Sequence, residues 1–225
     1  MKTKSLIAAL LLAASSAFAQ TTVTDIDGNV YNTVVIGSQI WMKENLKTNH
    51  YKNGAAIRTG LSNSNWINDT IGAYMVYNND SSNASTYGNL YNWYAVSNSS
   101  GLCPVDWNVP TDSDWNILLK YLDPLADTSC LGCNSSYIAG GLLKENGFSH
   151  WQSPNTGATN GSGFCGLPGG NWNNQNLGMY GYWWSSTQIS TSNSINRDLS
   201  YNNSNVSRVS NTKYNGLSEI GRAHV

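Results

Sequence analysis

Charge is what this sequence has least of: Lys, Arg, Asp and Glu make up 11% of its 225 residues, against roughly a quarter in an average soluble domain. The formal net charge is −1, so no basic field would draw in nucleic acid or an anionic membrane surface. Histidine is scarcer still. Ahead of the last residues only His50 and His150 could serve a nucleophile as base, neither in a catalytic motif, and His150 beside Trp151 reads as a loop or core-edge residue. The four cysteines lack the spacing of a zinc site, because Cys130 and Cys133 form a C-x-x-C with no second such pair and no paired histidines. A thioredoxin-like role lacks its βαβ surroundings. Beyond the first nineteen residues no apolar run approaches the length of a membrane span. No catalytic residue, metal, cofactor or transmembrane segment is therefore expected.

What replaces charge is amide, hydroxyl and aromatic ring. The sequence holds 31 Asn, 13 Tyr and 9 Trp, and its hydrophobic fraction is 40%, ample for a core. Asn competes for local backbone hydrogen bonds and favours turns, so short strands joined by long loops are expected.

Residues 1–19 read as a signal peptide: Lys2 and Lys4, the apolar run Leu6 to Ala14, and Ala17-Phe18-Ala19 as a cleavage site before Gln20. Export makes the protein secreted, extracellular or bound to the cell surface, a setting that permits disulfides. At the other end, Ile220 to Val225 can be reverse-translated as ATC GGA AGA GCA CAC GTC, which resembles one frame of a common sequencing adapter. Residues 219–225 are accordingly suspected to be a non-native tail, the alternative being an ordinary polar C-terminus.

Between these ends, residues 21–36 alternate around Asp27-Gly28 and predict a two-residue hairpin. Asp25 and Asp27 lack the further oxygen ligands of a calcium loop. Gln39 to Leu46 suggests a strand with Trp41 buried, Ala73 to Tyr77 a short strand, and Tyr87 to Val96 a helix. Thr111 caps a helix to Leu122, with Asp114 three residues on and Trp115, Leu118, Leu119 and Leu122 on one face. Asp112 and Asp114 fall in its first turn, where acidic groups suit the helix dipole better than acid–base chemistry. A second short helix is expected near Ile138 to Lys144, and strands at Tyr182 to Ser186, Ile195 to Tyr201 and Val206 to Tyr214. Nothing reads as a linker.

Five segments, DIDGNVYNTVVIGSQIWMKENL, YGNLYNWYAV, GLCPVDWNVPTDSDW, SPNTGATNGSGFCGLPGG and YGYWWSST, in this order resemble the Fibrobacter succinogenes major paralogous domain family of secreted bacterial proteins. The resemblance spans about Val23 to Ser218, so residues 20–218 form one domain. It implies an α+β fold of the C-type lectin-like class, shared with formylglycine-generating proteins: two helices packed on small, twisted antiparallel sheets with long loops. It implies no chemistry by itself. It also implies that Cys103 pairs with a cysteine in a terminal strand after Gly216-Leu217-Ser218, where the suspect tail stands, leaving Cys165 as a substitute partner or a free thiol. From the spacing alone Cys103, Cys130, Cys133 and Cys165 are disulfide candidates with three complete pairings open, Cys130 and Cys133 either closing a small loop or pairing elsewhere.

The affirmative signal is for binding. Sugars present hydroxyls to amides and C–H faces to aromatic rings, and Asn171, Trp172, Asn173 and Asn174 after Gly169-Gly170 offer both without charge. Ser153-Pro154-Asn155 resembles a calcium-lectin loop without its leading carboxylate. A recognition module for an extracellular glycan or surface protein is the expected function. The alternatives are a formylglycine-generating-type oxidase of a protein cysteine, for which Cys165 is the one cysteine in the terminal third, and a structural surface protein.

Overall fold

The computed structural model describes residues 21–224; the signal-peptide reading of residues 1–19 lies outside the described residues. The chain forms a sheet-rich α+β domain. Its strands are β1 (Thr22–Thr24), β2 (Val30–Ile36), β3 (Gln39–Met42), β4 (Tyr74–Met75), β5 (Leu90–Tyr91), β6 (Cys133–Ser136), β7 (Gly169–Asn171), β8 (Gln175–Leu177), β9 (Tyr180–Gln188), β10 (Asn193–Ser200), β11 (Val206–Thr212) and β12 (Arg222–His224). Its helices are α1 (Asn63–Ile67), α2 (Ser81–Tyr87), α3 (Trp93–Val96), α4 (Asp112–Leu122) and α5 (Ala139–Leu143). Two four-stranded antiparallel sheets, ordered β1-β2-β3-β12 and β6-β11-β10-β9, and two small ribbons, β4-β5 and β7-β8, carry the topology. The expected pair of helices is corrected to five short segments, of which α4 alone exceeds two turns.

Local chemistry accounts for most of these elements. Thr111 accepts from the Asp114 amide at 3.1 Å while Asp114 accepts from the Thr111 amide at 2.9 Å, a complete capping box at the start of α4. The first hairpin is wider than its Asp-Gly pair suggests. Thr24 pairs with Val30, and the Asp25 carboxylate closes the intervening loop by accepting from the Asp27 and Asn29 amides at 3.0 and 2.9 Å. The helix expected over Tyr87 to Val96 is instead β5 followed by the single turn α3. Leu90 and Tyr91 pair with β4 and, through Tyr91, with Leu217, so tertiary pairing overrides the helical spacing.

The core is aromatic and joins the sheets. Trp41 of β3 meets Trp115 of α4 with ring centroids 4.9 Å apart, and Phe164 lies 5.8 Å from Trp41 and 6.1 Å from Trp183 of β9. Both Trp183 and Trp184 are buried. Indole N–H groups taken out of water need acceptors. Trp183 donates to the Asn45 carboxamide at 2.7 Å, Trp184 to the Tyr91 carbonyl at 2.9 Å and Trp151 to the Gly166 carbonyl at 2.9 Å.

Residues 217–222 thread between these layers. Leu217 bridges to Tyr91, Ser218 to Trp183 and Arg222 to Asn108, and β12 then adds to the edge of β3. Glu219 and Ile220 are buried with them. Among the described residues no helix is long and apolar enough to cross a membrane.

Candidate functional site

The loop between β7 and β8 is built to present Trp172. Asn174 adopts a φ of +53°, its amide donates to the Asn171 carbonyl at 3.1 Å, and the Asn173 amide donates to the Asn171 side-chain oxygen at 3.2 Å. Gly170 makes the turn feasible. A Cβ there would lie 2.6 Å from the Gln175 carbonyl oxygen and 2.8 Å from the Tyr77 ring. Trp172 is then held at two points, its amide donating to the Gly216 carbonyl at 2.9 Å and its indole N–H to the Asn215 carboxamide at 2.7 Å.

Against it lies Trp66, more than a hundred residues earlier in the chain. Ser62 caps α1 and turns Trp66 inward, where its indole donates to the Tyr214 carbonyl at 2.6 Å. The two indoles are nearly parallel, 13° apart in plane with centroids separated by 6.3 Å, and Tyr214 closes edge-on to Trp172. Gly216 permits this approach, since a Cβ there would meet Trp172 at 2.8 Å and Trp66 at 2.9 Å. The pair walls a cavity of about 140 Å³, completed by Met75 and the carboxamides of Asn63, Asn79, Asn173 and Asn174. No charged side chain lines it. Such a cavity can lay a C–H face against a ring and exchange hydrogen bonds with hydroxyls; it has no group to make an ion pair or to move a proton.

Of the four residues read from the sequence, three line this cavity. Asn171 does not, because its carboxamide is committed to the loop. Asn174 contributes half of its amide, its oxygen already accepting from the Asn78 amide at 2.8 Å. Trp66, Met75, Asn63 and Asn79 were not legible as site residues. The capped SNSNW segment signals a short helix, but only the fold sets it beside residues 172–174.

The larger cavity, about 670 Å³, runs between the 96–103 loop, the start of α4 and β12, with Lys52, Trp107, Ser113, Asp114 and Arg222 on its walls. Its acid is already paired. Burial alone would raise the Asp114 carboxyl, but the Arg222 guanidinium and the Thr111 donors hold it below the ordinary carboxylate value. The Cys103 thiol at its base is free and fully buried. Burial pushes that thiol well above its ordinary value, with Glu219 adding to the effect, so little of it is thiolate at neutral pH.

Cys130 and Cys133 are joined in a disulfide at the edge of β6, the small closed loop of the two arrangements that the spacing left open. Cys165 is a free, half-buried thiol whose sulfur accepts from the Asn160 carboxamide at 2.9 Å. Each histidine of the chain body has a carboxylate on Nδ1, His50 with Asp27 at 2.5 Å and His150 with Glu145 at 2.9 Å. Among the described residues neither imidazole is hydrogen-bonded to a Ser, Thr or Cys side chain, and no group of three His, Cys, Asp or Glu residues could hold a metal ion. Asn155, of the Ser-Pro-Asn loop, turns its amide nitrogen inward to the Glu145 and Gly147 carbonyls at 3.0 and 2.7 Å.

The family model for the Fibrobacter succinogenes major domain matches residues 34–218. No curated protein and no solved structure matches the chain.

Proposed function

The chain belongs to the Fibrobacter succinogenes major domain family, and from that premise we propose that it is an exported recognition module of C-type lectin-like fold that binds a neutral glycan, secreted or at the cell surface. The observation that carries this reading is the half-buried Trp172, backed by the buried and nearly parallel Trp66 indole, beside a rim of carboxamides with no charged side chain among the cavity's lining. Aromatic faces satisfy the C–H surface of a pyranose, and amides can both donate to and accept from its hydroxyls. The indole N–H groups are consumed by protein acceptors, so the rings are fixed before any ligand arrives and little ordering remains to be done on binding.

A glycan array followed by calorimetry tests the proposal. One neutral oligosaccharide class should bind, and Trp172→Ala should weaken it about tenfold or more, as loss of one aromatic contact of about 1.4 kcal/mol would. Silence across the array, or full binding by a folded Trp172→Ala variant, rules the glycan out.

A further inference from the structure

A second concavity opens on the sheet formed by β6, β11, β10 and β9, and it shares no residue with the Trp66–Trp172 pocket. We propose that it binds an amino sugar, a polyhydroxylated ring carrying a primary ammonium, with Asp198 as the ammonium receptor. The cavity measures about 110 Å³ and is lined by Tyr180 of β9, Asp198 and Ser200 of β10, Asn203 and Asn205 of the following loop, and Ser207 of β11. Its size suits the amino-bearing edge of one sugar ring.

Two hydroxyls there are arranged to accept. Ser200 donates its hydroxyl to Asn202 at 2.8 Å and Ser207 donates to Asn134 at 2.9 Å, so each has spent its proton on a neighbour and keeps lone pairs for a ligand. Asp198 receives the Asn196 carboxamide on one oxygen. Register places it between Tyr182 on β9 and Ser207 on β11. Among the described residues no Lys, Arg or His forms an ion pair with it. Arg197, next in the chain, is engaged by Asp112 at 2.7 Å and Asn116 at 2.7 Å. The Lys144 ammonium behind the loop donates to the carbonyls of Thr156, Ser200 and Asn203 at 3.0, 2.9 and 2.8 Å, which also fixes the loop.

Desolvation of the partly buried Asp198 disfavours its charge and, against the opposing pull of the Asn196 carboxamide and the nearby Arg197 guanidinium, pushes its carboxyl up to about 7. An ammonium supplied from outside relieves that cost, so binding should favour the ionised carboxylate. Tyr180 and Tyr182 stack with planes 6° apart and centroids separated by 5.6 Å, giving a rigid ring edge and face beside the carboxyl for C–H and cation contacts. Two hydroxyls with their protons spent, an acid without an ion-pair partner and an aromatic wall favour a cationic ligand, and the Asn203 and Asn205 carboxamides can donate to or accept from its hydroxyls.

Calorimetric titration of the protein with the glucosamine trimer, its fully N-acetylated counterpart and trilysine, at pH 7 and pH 5, decides the matter. The glucosamine trimer should bind at pH 7 at least tenfold more tightly than the N-acetylated trimer or trilysine, weaken at least fivefold at pH 5 as Asp198 is protonated, and lose tenfold or more with Asp198→Asn. Absence of binding, equal binding of the N-acetylated trimer or of trilysine, or wild-type affinity in folded Asp198→Asn overturns the proposal. Should that variant fail to fold, equal affinities of the unmodified protein at the two pH values overturn it instead.

Discussion

Asn45, Asn92 and Asn215 each turn a carboxamide toward a group that burial would otherwise orphan: the Trp183 indole at 2.7 Å, the amides of Ala73 and Ala95 at 3.0 and 3.1 Å, and the Trp172 indole at 2.7 Å. Some of the asparagine is thus spent on holding the interior together rather than on meeting a ligand. Glu219 is the opposite case. It is fully buried, one oxygen accepts from the Ile220 amide at 2.9 Å, and among the described residues its other oxygen has no hydrogen-bond partner. Burial raises its carboxyl well above the ordinary value. Because the folded pKa exceeds the unfolded one, near 4.3, the native state holds the extra proton. Its contribution to stability is then greatest below about pH 4 and declines as the pH rises. Glu219→Leu should flatten that decline and stabilise the protein at pH 7 by about 1–3 kcal/mol, raising Tm by several degrees in a pH series of thermal melts. An unchanged melting profile would show that the carboxyl is solvated.

At the scale of elements, α4 is fastened to the neighbouring sheet through its first turn. Asp112 accepts from Arg197 of β10 at 2.7 Å and from Arg208 of β11 at 2.7 Å. Burial by itself would raise the Asp112 carboxyl, and the two guanidinium groups bring it below its ordinary value. Arg197 is 1% exposed. Removing its counter-charge strands a cation in the interior, so Asp112→Ala should destabilise by about 3–5 kcal/mol, a loss read by urea denaturation. A cost under about 1 kcal/mol would mean that the pair behaves as a surface ion pair. The capping box made the start of α4 readable from Thr111 and Asp114 alone, because that chemistry spans four residues. The partners Arg197 and Arg208 lie on strands far along the chain, and no local pattern joins them to Asp112.

Across the whole molecule, residues 217–222 touch β3, β5, β9 and the loop before α4, so whatever occupies them is felt everywhere. Ser218, Glu219 and Arg222 each leave a buried polar atom without a partner among the described residues. Alternation and β-branching along the sequence marked the strands near residues 182–186, 195–201 and 206–214, and capping marked where α4 begins, since both signals depend on neighbours within a few residues. Tertiary structure alone decided that Trp66 faces Trp172, that Tyr87 to Val96 is a strand and a turn, and that Asp198 has no ion-pair partner, because each is fixed by contacts between segments whose separation along the chain no local pattern encodes.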